Sequence, residues 1–273
     1  MQAVADLRAD RRAHLMKTYQ CATAYNSLDE LLKDKQVEAV GLFTPAPDHV
    51  RHAIACLRAG KHVLSAVPAA MTLEECDELV RTVKRTGLTY MMAETSYYQQ
   101  LTISAREFYK QGAFGRIYAC ESEYHHAGLE TLYFENGERT WRHGLPPMHY
   151  PTHCTAHLLS VTGEHITSVT CIGWGDNDPI LRDNVYKNPF WNETALFNTN
   201  RGTSFRVAVW WKGAHKGTER AQYFGDKMSF FHAHPNGMGP AVVKWSTLQE
   251  KDSGGFARQA AVLEKYEEKK WWA

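Results

Sequence analysis

The stretch "FTPAPDHVRHAIACLRAGKHVLSAVPAAMTLEECDELV", residues 43–80, decides the fold through its punctuation. Before it, residues 40–43 form a short apolar run, and Thr44-Pro45 breaks that run. A helical pattern over residues 48–59 follows and stops at Gly60. Residues 62–65 then read as another short strand, ended by the turn Ala66-Val67-Pro68. Thr72 with Glu75 three positions on makes a capping box for a helix over residues 72–86, which Gly87 closes. Strand, helix, strand, helix with short links is the pattern of parallel strands covered on both faces by helices.

The same alternation extends outward. Residues 2–6 are strand-like, 8–19 and 27–35 helical (Ser27 and Glu30 again capping), and 88–92 is a further strand. Right-handed crossovers make this a doubly wound, Rossmann-like sheet. After a helix over residues 99–111 the period changes to two. "RIYACESEYHH", "ITSVTCIGWG", "NETALFNTN", "TSFRVAVWW" and "TERAQYFGDKMSFF" all read as strands. Turn chemistry at residues 200–202 and 225–226 separates some of them, and one helix intervenes near residues 151–161. The expected class is therefore α/β: a truncated Rossmann-like parallel sheet over residues 1–95, then a mostly antiparallel α+β sheet domain over residues 96–273. A doubly wound sheet ordinarily opens with strand, GxGxxG and helix, and no GxGxxG stands anywhere in the sequence. The chain opens inside what reads as a second strand and closes on "YEEKKWWA". From this the expectation is a fragment incomplete at both ends.

Composition excludes several classes. Apolar residues are 44% and charged residues 22%, with 31 basic against 30 acidic side chains for a formal +1. That balance offers no field for nucleic acid or an anionic membrane, and no apolar run reaches the ~18–20 residues of a membrane span. Six scattered cysteines without a CxxC pair read as free thiols of a reducing compartment, which makes the cytoplasm the expected location. Fourteen histidines and a 12% aromatic share suit a pocket for polar, ring-shaped ligands or an aromatic-packed sheet face.

Thr44-Pro45 with His49, the run GKHVL at residues 60–64, Thr72-Leu73-Glu74-Glu75, "GAFGRI" at residues 112–117 and "HYPTH" at residues 149–153 resemble the glucose–fructose oxidoreductase/inositol dehydrogenase/rhizopine-catabolism family (Gfo/Idh/MocA). The resemblance covers essentially the whole chain. It implies NAD-linked oxidation of a sugar or sugar derivative at a ring hydroxyl. Asp6 is then the acidic residue that meets the adenosine ribose and favours NAD over NADP, and Thr44, Pro45 and His49 lie beside the dinucleotide. Ala66, Val67 and Pro68 stand where the family carries Glu-Lys-Pro, so the lysine that assists hydride transfer is replaced by Val67. Glu94, after the strand at residues 88–92, joins the cofactor set.

In the second domain only His153 keeps its register in the family pattern, with Ala156 where an aspartate is usual. A histidine exchanges protons near neutral pH, so His153 is the chief catalytic candidate, with Tyr150 and His149 beside it. His149, His153 and His157 share i, i+4, i+8 spacing, but Pro151 suits a first helical turn, which leaves His149 outside the helix; no metal is expected. His126, Trp191, Lys212, His215 and Arg220 are candidates for substrate contact by stacking and hydrogen bonding. "HYPTH" also resembles NAD-dependent redox glycosidases of the α-N-acetylgalactosaminidase type, in which tyrosine and histidine move the protons. That is the alternative activity, and a non-catalytic chain with a broken cofactor site is the alternative from another class. Family members often pair through the open face of the second-domain sheet, which makes a homo-oligomer one expected partner beside the sugar.

Overall fold

The computed structural model describes residues 1–251, 254–255 and 257–271. The chain forms two compact units, Met1–Ala93 and Glu94–Ala273. Among the described residues no helix is long and apolar enough to cross a membrane.

The first unit alternates as the pattern requires. Strand β1 (Ala3–Ala5) leads to helix α1 (Ala9–Tyr19), β2 (Thr23–Tyr25), the single turn α2 (Leu28–Leu31), β3 (Ala39–Leu42), α3 (His49–Arg58), β4 (His62–Ser65), α4 (Leu73–Thr86) and β5 (Tyr90–Met92). All pairings are parallel: β1 with β2, and β3 with β4 with β5. The two ladders share one core, in which Ala3, Ala5 and Tyr25 pack on Val40, Leu42, Val50, Ile54 and Val63. The capping box of α4 is made in full: the Glu75 amide donates to the Thr72 hydroxyl, and the Glu75 carboxylate accepts from the Thr72 amide. Gly87 ends α4 at φ +67°, a conformation that favours glycine.

Two expectations for this unit need correction. The helix expected over residues 27–35 lasts one turn, because Asp34 diverts the chain: its carboxylate accepts the Gln36 amide at 2.8 Å and its carbonyl accepts the Lys61 ammonium at 2.8 Å. Strand β2 was not foreseen, being three half-buried residues without an apolar run.

The second unit opens with α5 (Gln100–Lys110) and β6 (Ile117–His125), then the small hairpin β7 (Phe134–Glu135) and β8 (Glu138–Arg139). Next come α6 (Thr152–Thr162), β9 (Ile166–Trp174), β10 (Asn192–Thr199), β11 (Ser204–Trp210), β12 (Thr218–Gly225), β13 (Met228–Phe231), β14 (Ala241–Lys251) and β15 (Ala257–Lys265). Eight of these strands make one sheet in the order β15-β14-β13-β12-β6-β11-β10-β9, antiparallel throughout except for the parallel pair β6–β11. Strand alternation puts Cys120, Phe205, Val207, Val209, Ala221, Tyr223 and Phe230 on one face, where Ala105 of α5 and Cys154, Leu158 and Val161 of α6 cover them. The β14–β15 hairpin extends the sheet beyond the strands foreseen. "GAFGRI" acts as a clamp: the Lys227 amide donates to the Phe114 carbonyl, and Asp226 Oδ1 accepts the Arg116 amide at 3.0 Å. A Cβ on Gly225 would lie 2.3 Å from that Phe114 carbonyl oxygen, so only glycine fits there. Near the chain end the Trp271 amide and indole reach Gln100 and Ser104 of α5, while Trp272 lies outside the described residues.

Candidate active site

Two groups of predicted residues stand at different places in the fold. In the first unit, Thr44, Pro45 and the turn Ala66-Val67-Pro68 follow the carboxyl ends of β3 and β4, the edge where open α/β sheets bind ligands. His49 locks this edge. It is 1% exposed, with Nδ1 2.7 Å from the Pro68 carbonyl and Nε2 2.7 Å from the Thr44 carbonyl. Both ring nitrogens are therefore occupied by backbone carbonyls. His49 thus ties the two loops to each other. The Thr44 hydroxyl meets His52 Nδ1 at 3.1 Å, and Pro68 is buried beneath the turn, its peptide bond with Val67 cis. Asp6, following β1, accepts the Arg8 amide on Oδ1 at 2.8 Å, and its other carboxylate oxygen has no partner among the described residues.

In the second unit the first turn of α6 carries His153 into a cluster that the sequence only half revealed. His153 is 8% exposed, and its Nδ1 stands 2.8 Å from Glu94 Oε1. Glu219 Oε1, from the helix-covered face of β12, lies 3.7 Å from the same nitrogen. Ser96 Oγ is 3.5 Å from it and donates to Glu219 Oε1 in a short hydrogen bond. Burial presses the Glu94 carboxyl upward, but the hydrogen bond and charge of His153, with the Ser96 amide, outweigh it and hold the group below the usual carboxylate range. Glu94, expected beside the cofactor, is bonded through Oε1 to His153 within the second unit. On the ring faces, Tyr124 lies 4.5 Å and Tyr150 5.2 Å from the His153 ring centroid. Burial first, then the Glu94 charge, raises the Tyr150 phenol above its ordinary value, so at neutral pH it is a hydrogen-bond donor. A cavity of about 350 Å³ reaches the cluster at Glu219, with Tyr98, Gln99, Gln100, Leu101 and Glu268 as its other walls.

Other predicted residues sit elsewhere. His149 is exposed in the turn before α6, its ring edge-on to Tyr186 at 5.9 Å, and it makes no contact with His153. His157 is fully buried and bonds the Thr102 hydroxyl at 2.9 Å, so the three evenly spaced histidines do not converge. Trp191 is a core residue, 1% exposed, stacked on Tyr133 at 5.4 Å and donating to Asp178. Lys212 pairs with that same Asp178. His215 packs against His125, which itself stacks on Trp210 at 4.1 Å on the open face of the sheet. Arg220 is buried and its Nε donates to Glu123 at 2.8 Å, within a ladder that includes Arg206, Glu121 and Gln222. Of the five residues expected to touch substrate, only the exposed His126 borders the cluster, through a 6.0 Å ring contact with Tyr124. The missed members had one readable signal: Glu219 alternates with Ala221 and Tyr223, which puts a carboxylate on the inward face of an otherwise apolar strand.

Comparison with known proteins agrees with this division. The family model described as "Oxidoreductase family, NAD-binding Rossmann fold" (GFO_IDH_MocA) matches residues 1–94. Over this segment, about a third of its length, the chain is similar to the Gfo/Idh/MocA oxidoreductase family. Among curated relatives, a glycosyl hydrolase family 109 protein of Solibacter usitatus is 32% identical over 143 residues, 50% of this chain and 33% of that protein. An alpha-N-acetylgalactosaminidase of Bacteroides fragilis is 31% identical over 141 residues, 47% of this chain and 32% of that protein. The chain therefore spans about a third of the length of these family relatives. The fold matches that of scyllo-inositol dehydrogenase from Lactobacillus casei, solved with NAD(H) and scyllo-inositol. That match has a TM-score of 0.67 at 15% identity, over 97% of this chain and 74% of that one.

Proposed function

We propose that the protein is an NAD-linked oxidoreductase that removes a hydride from a ring carbinol of a sugar or sugar derivative, with His153 as the proton acceptor. The observation that carries this is the Glu94–His153 pair, with Nδ1 bonded to a carboxylate and Nε2 bonded to no protein group among the described residues. A carboxylate on Nδ1–H fixes the tautomer that leaves a lone pair on Nε2, and it stabilises the imidazolium once a proton arrives. His153 Nε2 takes the hydroxyl proton while Tyr150, held protonated, donates a hydrogen bond to a neighbouring oxygen. Val67 supplies no charge, so proton removal falls to the imidazole.

NAD supplies the hydride acceptor when bound. Asp6 fits its adenosine ribose because one carboxylate oxygen is uncommitted, and its negative charge repels a 2′-phosphate. Two nearby arginines are engaged elsewhere, Arg8 with Asp10 and Arg12 with the Asp6 carbonyl, which favours NAD over NADP. Thr44, Pro45, Ala66 and Val67 would border the cofactor from the loops that His49 ties together. The test is a substrate screen read at 340 nm: sugar-dependent reduction of NAD supports the reading, and its loss by 10²-fold or more in His153→Ala assigns the base.

Tyr150 and His153 within one cluster favour a second reading, redox glycosidase chemistry, in which oxidation of the ring acidifies a neighbouring C–H and the glycoside is eliminated. Aglycone release without net absorbance at 340 nm would replace the first reading by this one. We also propose a homo-oligomer built on the open sheet face, supported by exposed Ile172, Trp174 and Leu196 opposite the helices. Sedimentation of Ile172→Glu as a monomer beside an oligomeric wild type would establish it, and a monomeric wild type would remove it.

A further inference from the structure

We propose that Glu94, His153 and Glu219, assisted by the Ser96 hydroxyl, bind one divalent cation of the manganese–zinc class. The three side chains each bring one ligand atom, and all lie within 4.8 Å of one another. The separations from His153 Nδ1 are 2.8 Å to Glu94 Oε1 and 3.7 Å to Glu219 Oε1. Ligands held about 2.1 Å from a metal stand roughly 3.0–3.4 Å apart in octahedral or tetrahedral sites, so small side-chain adjustments complete the shell.

Charge gives a second reason. Two carboxylates, the buried Glu94 and the partly exposed Glu219, converge on one imidazole nitrogen. A dication bound there would offset the charge of the two carboxylates. Glu94 itself is 4% exposed, and the Thr152 hydroxyl beside its carboxylate, like His153 and the Ser96 amide, favours the charged form. The donor set, one imidazole with two carboxylates and a hydroxyl, suits manganese or zinc. The Cys154 thiol, on the same helix turn, points instead to the Ala208 carbonyl.

Occupancy has a chemical consequence. A metal on Nδ1 moves the proton of neutral His153 to Nε2, turning the free acceptor into a donor. The metal-loaded and base-competent states of His153 therefore exclude each other.

The test is binding, which does not depend on turnover. Protein stripped with chelator is dialysed against Mn²⁺, chosen because exposed Cys76 and Cys171 can capture zinc. One Mn²⁺ per chain is expected with micromolar affinity, weakened at least tenfold in Glu219→Gln and in His153→Ala and unchanged in His157→Asn. Absence of saturable binding, or equal binding in all variants, overturns the site. Should the variants misfold, paramagnetic broadening of histidine ring resonances in the wild type decides: broadening centred on His153 supports the site, and sparing of His153 removes it. Loss of the oxidoreductase reading would leave either outcome intact.

Discussion

His153 and His157 stand one helical turn apart on α6, and their surroundings could hardly differ more. His153 faces two carboxylates, a serine and two tyrosine rings, with Nε2 uncommitted. His157 bonds only a threonine hydroxyl, lies edge-on to the His232 ring at 5.3 Å, and leaves Nε2 buried and unpaired. One turn of helix thus separates the group we propose to exchange protons from a group that burial keeps neutral. Residue type and spacing do not decide the chemistry; the neighbours brought by β6, β12 and β13 do.

The largest test of this contrast is acid. Burial pushes His157 down to about 3, His125 down to about 4 and His232 well below its ordinary value. A histidine depressed in the fold binds its proton in the unfolded chain first, so unfolded molecules carry more protons below about pH 6.5. Its stabilising contribution is complete above that pH and is lost as pH falls toward 3. For His157 alone the limit is about 5 kcal/mol. Urea midpoints measured from pH 7 to pH 4 should fall steeply, and His157→Gln should flatten the slope. A profile parallel to wild type would show that His157 titrates normally and would erase the contrast.

Catalysis is the next largest lever. His153→Ala should lower kcat/KM by about 10²-fold, equivalent to roughly 2.7 kcal/mol, with little change in urea midpoint. Glu94→Gln should lower kcat by about tenfold and shift the pH–rate profile, because the amide no longer holds the imidazolium. If His157→Gln slowed turnover as much as His153→Ala, the division along α6 would be wrong.

These neighbours explain what the residues alone could and could not convey. Strands, caps and the change of period near residue 100 follow from local chemistry, and the Thr72–Glu75 box and Gly87 stand where that chemistry puts them. His153 was legible because it kept its place in "HYPTH". Glu94 was named only for the cofactor, and Ser96 and Glu219 were not named at all, since the cluster's segments lie up to 125 residues apart and only sheet order brings them to one point. Tryptophan, lysine and arginine are equally silent about their partners in sequence: Trp191, Lys212 and Arg220 are expected at substrate, and in the fold they meet Tyr133, Asp178 and Glu123.

The smallest predicted effect separates these two kinds of charge. Arg220 and Glu123 have side chains only 7% and 16% exposed, whereas Lys212 is 43% exposed against Asp178. Removing Arg220 leaves a half-desolvated carboxylate with Arg206 as its remaining partner, so Arg220→Met should cost about 2 kcal/mol. Lys212→Met breaks a water-screened pair and should cost below ~1 kcal/mol. Chemical denaturation of the two variants side by side measures the difference. If instead Lys212→Met left stability intact yet raised KM for a sugar by tenfold or more, the lysine would be a substrate contact after all, and Asp178 would be its resting partner in the free protein.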